Sequence, residues 1–141
     1  MKGAIGITHS LLRFVAGFIL FCPGTMKLFG WFGGMPAPMS GHALPPLLLA
    51  AGWIEFIGGP LIMLGLFTRP VAFLTSGEMA FAYFIGHFPH AFWPIQNHGE
   101  PAVLLCFIFL FLAANGPGPF SLDRLRRRGP ASAPRENVDR G

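Results

Sequence analysis

Four apolar stretches, each near the length needed to cross a lipid bilayer, take up most of this chain. They run from about His9 to Phe29, Leu44 to Leu66, Pro70 to Phe88 and Glu100 to Ala114. A spanning helix needs about 20 residues, within a range of about 17–25, so the fourth is short and borrows interfacial residues at its ends. Backbone in hydrocarbon must satisfy its own N–H and C=O groups, which segments of this kind do as helices. The expectation is an all-α fold: a four-helix transmembrane bundle whose short connectors force up-down topology. Charged residues make up only 11% of the chain and hydrophobic ones 52%. Soluble domains carry about 25% charge, so this chain has too few charges to cover a water-facing surface.

Orientation follows from the cations. Lys2, Arg69 and the arginines of the tail (Arg124, Arg126, Arg127, Arg128, Arg135 and Arg140) fall on one side. The two long connectors, 30–43 and 86–98, carry no Lys, Arg, Asp or Glu apart from the boundary residues of the spans. The positive-inside rule makes the first side cytoplasmic and places both termini there. Trp31 and Trp93 then sit at the outer ends, where an aromatic belt is expected. The basic tail follows a membrane segment directly, which suits anionic lipid and topology rather than nucleic acid. The chain divides into a transmembrane domain, 1–120, and a basic cytoplasmic tail, 121–141. Ser121 is placed to cap a short helix from Leu122 to Arg128, and the Pro, Ser and Ala content beyond Gly129 predicts disorder. The first segment reads as retained rather than cleaved, because Arg13 interrupts it and no small-x-small site follows. Cys22 and Cys106 form no CxxC or zinc spacing and read as small apolar fillers.

Ionisable residues inside the spans are the main functional clue. Arg13 and Lys27 lie in the first, Glu55 in the second and Glu78 in the third, while Glu100 opens the fourth. Each charge near the bilayer centre costs about 2.5–3.5 kcal/mol on insertion scales, so such residues face the bundle interior and find partners. Arg13, Gly17, Leu20, Gly24 and Lys27 share one helical face, and its glycines admit a close neighbour. Glu55 lies in a stripe with Ala51, Gly52, Gly58 and Gly59, and Glu78 shares a face with Thr75 and Ala82. One buried polar seam is expected. Side chains lean toward their own helix N-terminus, which favours the pairs Lys27 with Glu55 and Arg13 with Glu78. Glu100 competes for Lys27 at similar depth. Such pairs either carry function or only fix helix register.

The outer connector gathers His87, His90, Trp93, Gln96, Asn97 and His98 ahead of Glu100. No metal is assigned, since His87-x-x-His90 is a weak signal that Pro89 disturbs, and no opposed histidine pair exists for haem. The loop is either a polar, aromatic seal or a mouth for an amphipathic aromatic molecule such as a quinone, walled by Phe88, Phe92 and Trp93. Glu55, Glu78, Glu100 and His87 are the candidates for proton handling. Lys27, Arg13, His90, Trp93 and Asn97 are the candidates for ligand contact.

Lys27-Leu28-Phe29-Gly30, Ile54-Glu55 with Gly58-Gly59, and the turn Gly65-Leu66-Phe67-Thr68-Arg69 form an ordered set of motifs. Gly77-Glu78-Met79-Ala80, Asn97-His98-Gly99-Glu100, Gly116-Pro117-Gly118 and Ser121-Leu122-Asp123 continue it. In this order and spacing, over roughly residues 8–125, the chain resembles the DoxX family of small bacterial membrane proteins. That family usually has Gly where this chain has His98. The resemblance implies a four-helix fold in the bacterial cytoplasmic (inner) membrane. Family members are often described as oxidoreductases, and a related branch, DoxD, is associated with thiosulfate oxidation coupled to quinone. No flavin, nicotinamide, haem or iron–sulfur motif is recognisable here. Two functions are therefore expected: a quinone-linked oxidoreductase component, or a non-catalytic membrane subunit or anchor that recruits a partner enzyme. A homo-oligomer fits either, and a transporter is a third reading that would need oligomerisation to enlarge the cavity.

Overall fold

The computed structural model describes residues 2–35 and 45–127. The disorder expected beyond Gly129 and the connector from 36 to 44 lie outside the described residues. Six α-helices and no strands occur among the described residues: α1 (Lys2–Phe29), α2 (Pro46–Leu64), α3 (Thr68–Ala82), α4 (Pro94–Asn97), α5 (Glu100–Asn115) and α6 (Leu122–Arg127). A 3₁₀ turn, Trp31–Gly33, follows α1, and a π turn, Tyr83–His87, prolongs α3.

The helix ends have local causes. α1 begins at Lys2, ahead of the apolar stretch at His9, and the Thr8 and Ser10 hydroxyls fold back onto the Ala4 and Gly6 carbonyls at 2.9 Å. That keeps both hydroxyls inside the helix's own bonding. α2 opens on Pro46, whose fixed φ suits a first turn, and stops at Gly65, in the left-handed conformation at φ 70°. α3 begins at Thr68, two residues before the expected Pro70. The carboxylate of Asp123 accepts the Phe67 and Thr68 amides at 2.9 Å each, and so caps α3 from a distant part of the chain. α5 matches the short fourth segment to within one residue.

α1 and α2 run antiparallel and touch at backbone distance. A Cβ on Gly17 would stand 2.7 Å from the Gly59 carbonyl oxygen, and one on Gly24 2.6 Å from the Phe56 nitrogen. α3 and α5 form the second close pair, also antiparallel. Ser76 donates to the Cys106 carbonyl at 2.8 Å midway, while Tyr83 meets Gly99 at one end and Arg69 meets Gly116 at the other. α2 lies against α3 where Gly58 faces Thr75. Leu20, Ile62, Phe109 and Leu112, one or two from each of α1, α2 and α5, are fully buried between the pairs.

Polarity is inverted relative to a soluble domain. Arg13, Thr25, Glu55, Thr75 and Ser76 are buried, while Phe18, Phe73 and Phe107 are 51%, 69% and 66% exposed on three different helices. Water would penalise that outer surface, whereas lipid accepts it. Gly3–Phe29 and Pro46–Leu64 are long and apolar enough to cross a membrane, and α5 is apolar but shorter.

Candidate functional site

The expected seam forms around Lys27. Its Nζ donates to both oxygens of Glu55, at 2.5 and 2.6 Å, with the Glu55 carboxylate almost wholly buried. The small-residue stripes make this possible. The α1 face Arg13–Gly17–Leu20–Gly24 is buried throughout, and Gly52, Gly58 and Gly59 are buried on α2. Gly24 packs on Glu55 itself, and Gly52 packs on Lys27 and Leu28. Glu100 does not compete for the lysine: it is exposed in the first turn of α5, where a carboxylate complements the helix dipole.

Glu78 reaches the same seam from α3. Its carboxyl neighbours Glu55 and feels the charge of Lys27. Both oxygens are buried, and the polar group that meets them is the Glu55 carboxyl. Lys27, Glu55 and Glu78 thus bring two carboxyls and one ammonium together at the junction of three helices. Thr75, one turn from Glu78, spends its hydroxyl on the Val71 and Ala72 carbonyls of its own helix.

Arg13 does not pair with Glu78. Its guanidinium donates instead to the carbonyls of Pro117, Phe120 (2.6 Å) and Met63 (3.3 Å). Depth is the reason. Arg13 lies level with Gly65, near the start of α3, and Thr68 is about 15 Å along the helix from Glu78 at 1.5 Å per residue. At that level the last turn of α2 and the 116–120 turn offer carbonyls without helical partners, which a planar fork of donors suits. The same end holds Ser121, whose Oγ accepts the Arg124 amide at 3.3 Å as the expected cap of α6. Asp123 bonds Phe67 and Thr68 through its side chain, and its amide donates to the Gly65 carbonyl at 2.9 Å. Arg126 lies 5.0 Å over the Phe67 ring. The motifs at 65–69, 116–118 and 121–123 are therefore one three-dimensional cluster. Sequence reasoning missed the role of Asp123, whose only signal was its place among the family motifs.

The connector between α3 and α5 separates into bonded and free residues. Asn97 is buried and donates to the Ala91 carbonyl at 2.9 Å, while its Oδ1 accepts the Gly99 amide at 2.8 Å. His87 Nδ1 meets the Asn97 carbonyl at 3.0 Å. A carbonyl only accepts, so Nδ1 carries the proton and Nε2 is the ring's remaining polar atom. Tyr83 stacks on His87 at 6.5 Å. His90, Trp93 and Glu100 are exposed and are not brought to the seam. His98 occupies the left-handed conformation, φ 57° and ψ 25°, a backbone region that glycine enters without strain. No group of three metal-ligating side chains occurs among the described residues.

An all-helical chain that buries a lysine–carboxyl cluster and turns Phe and Leu outward is a helical membrane protein. The chain belongs to the DoxX family, whose profile matches residues 8–88. It is 41% identical to an uncharacterized protein of Haemophilus influenzae over 120 residues, covering 81% of this chain and 87% of that one. It is 31% identical to the inner membrane protein YqjF of Escherichia coli over 139 residues, covering 89% of this chain and 96% of that protein. It is also 34% identical to the inner membrane protein YphA of Escherichia coli over 117 residues, covering 76% and 80%. No solved structure matches.

Proposed function

We propose that this DoxX protein is a quinone-linked oxidoreductase component of the bacterial inner membrane, with Lys27, Glu55 and Glu78 as its proton-exchanging centre. The observation that carries this reading is the Glu78 carboxyl, buried against the Lys27–Glu55 pair. Two carboxyls against one ammonium leave the cluster one proton short of neutrality, which makes it a place where a proton can be taken up and passed on. Reducing a quinone to a quinol takes two electrons and two protons. In this reading a partner redox enzyme supplies the electrons, and the cluster passes protons to the quinone oxygens. An apolar groove of about 240 Å³ between α2 and α3, lined by Trp53, Ile57, Gly58, Leu74 and Thr75, lies one turn from Glu55 and Glu78 and offers a lateral approach from lipid. His87, with Nε2 uncommitted, and Glu100 and Trp93 stand at the outer mouth as secondary contacts.

The membrane arrangement proposed with it has four spans, α1, α2, α3 and α5, both termini cytoplasmic, a domain over 1–120 and a basic tail over 121–141. The antiparallel pairings support it, as does the clustering of Arg69 with Arg124, Arg126 and Arg127 at one end. The inner membrane location rests on the two Escherichia coli relatives.

A lipid extract and ultraviolet-visible spectrum of the purified protein test the function. Bound quinone is expected, and it should be lost in Glu78→Gln while the protein stays folded. Wild-type protein without quinone, co-purifying stoichiometrically with an enzyme, would instead establish the second reading, a membrane subunit or anchor. That reading is favoured by Arg13 and Asn97, whose bonds all serve the fold.

A further inference from the structure

At the end opposite the Asn97 connector, an open groove of about 520 Å³ runs along α3 and α5, lined by Arg69, Pro70, Phe73, Leu110, Ala113 and Ala114. Its walls are apolar and its mouth is cationic. The Arg69 guanidinium lies across the end of α5, with Nε 3.1 Å and an Nη 3.4 Å from where a Cβ on Gly116 would stand. Among the described residues Arg69 has neither an ion pair nor a side-chain hydrogen bond. Asp123, which caps the start of the same helix, is committed to the Phe67 and Thr68 amides. Arg124, Arg126 and Arg127 are exposed on α6, which is docked to the same turn.

Charge and shape select the occupant. An exposed cation, unpaired among the described residues, at the mouth of a groove of methyl and phenyl groups that opens sideways from two lipid-facing helices, matches a molecule with an anionic head and a hydrocarbon chain. Basic pockets between membrane helices take such headgroups, and each surface arginine contributes about 1 kcal/mol toward an anionic leaflet. We propose that Arg69 and the α3–α5 groove form a binding site for one anionic phospholipid, its phosphate on Arg69 and an acyl chain along Phe73 and Leu110. The site depends on the membrane setting of the fold and not on the quinone reading. It places a lipid against the two helices that carry Glu78 and Glu100.

The full-length protein in mild detergent, titrated with phosphatidylglycerol or phosphatidylcholine and followed by native mass spectrometry, tests the site. One phosphatidylglycerol per chain should be retained, with little phosphatidylcholine. Arg69→Gln should weaken retention roughly five-fold, the factor that about 1 kcal/mol represents, and Arg69→Lys should restore most of it. Ala114→Trp fills the groove from an exposed position and should lower retention without touching a charge. Arg127→Gln, outside the groove, should change little. Equal retention of the two lipids would overturn the proposal, as would equal weakening by Arg69→Gln and Arg127→Gln, which indicates diffuse attraction. If Arg69→Gln does not fold, unchanged retention by Ala114→Trp overturns it alone.

Discussion

Lys27 and Glu55 hold each other in a setting where neither tolerates solitude. Removing one partner of a buried pair strands the other charge, at about 3–5 kcal/mol, whereas removing both can be nearly neutral. Glu55→Gln should therefore lower the melting temperature in detergent markedly, and Lys27→Met in the same chain should recover part of the loss. Additive losses would show that the two side chains do not couple. Glu78 complicates the cycle usefully, since it offers Lys27 a second carboxyl. Glu78→Gln combined with Glu55→Gln should be worse than either alone. His98 is a residue-scale case of the opposite kind. A left-handed non-glycine residue costs about 1–2 kcal/mol, partly offset by glycine's looser unfolded chain. His98→Gly should stabilise the protein by roughly 0.5–1 kcal/mol in a denaturation series, and a loss of stability would mean the imidazole makes a contact that outweighs the strain.

Among the elements, the α1–α2 contact is set by backbone touching backbone. A leucine at Gly17 has no space beside the Gly59 carbonyl and Met63, so the helices must separate and the Lys27–Glu55 bonds must stretch with them. Overpacking of this kind costs about 1–3 kcal/mol, occasionally more. Gly17→Leu should reduce folded yield, while Gly77→Leu, with open space around it, should be tolerated. The start of α3 depends on Asp123. Burial against the turn opposes ionisation of this carboxyl, but the Thr68 and Phe67 amides, with Arg126 nearby, outweigh it and hold the group below its ordinary range. A group lowered in the folded state stabilises the fold above its unfolded value and loses that contribution as pH falls through the folded one. Stability should thus drop on acidification below about pH 4, the ordinary aspartate value. Asp123→Asn should be less stable at neutral pH by about 1 kcal/mol, the usual loss of a cap, and should flatten that part of the profile. An unchanged slope would assign the acid sensitivity to other groups.

For the whole molecule, two antiparallel helix pairs meet along one polar seam and are tied at one end by Arg13 and Asp123. The tie joins residues from the first helix, the α2–α3 turn and the final short helix, so the segment after α5 is part of the fold. Truncation after Asn115 would leave the Arg13 guanidinium without two of its three carbonyl acceptors and α3 without its cap. The truncated protein should be recovered at much lower yield than the full chain. Reporter fusions at Arg127 and at Phe92 test the topology: opposite sides are expected, with Arg127 cytoplasmic.

Apolar length, charge spacing and small-residue stripes were enough to locate α1, α2, α3 and α5, though not α4 or the end of α3, and to pair Lys27 with Glu55, because helical periodicity puts those residues on facing sides and side-chain tilt brings them level. The same marks showed Glu78 entering the seam and Ser121 capping α6. They did not show that Arg13 would take carbonyls, that Asp123 would start α3 two residues early, or that Asn97 would brace a connector. Each of those outcomes depends on which unsatisfied backbone groups arrive within about 3 Å of a given side chain. That is settled only when turns distant in sequence meet, since a helix end has the same free carbonyls whatever residue finally satisfies them.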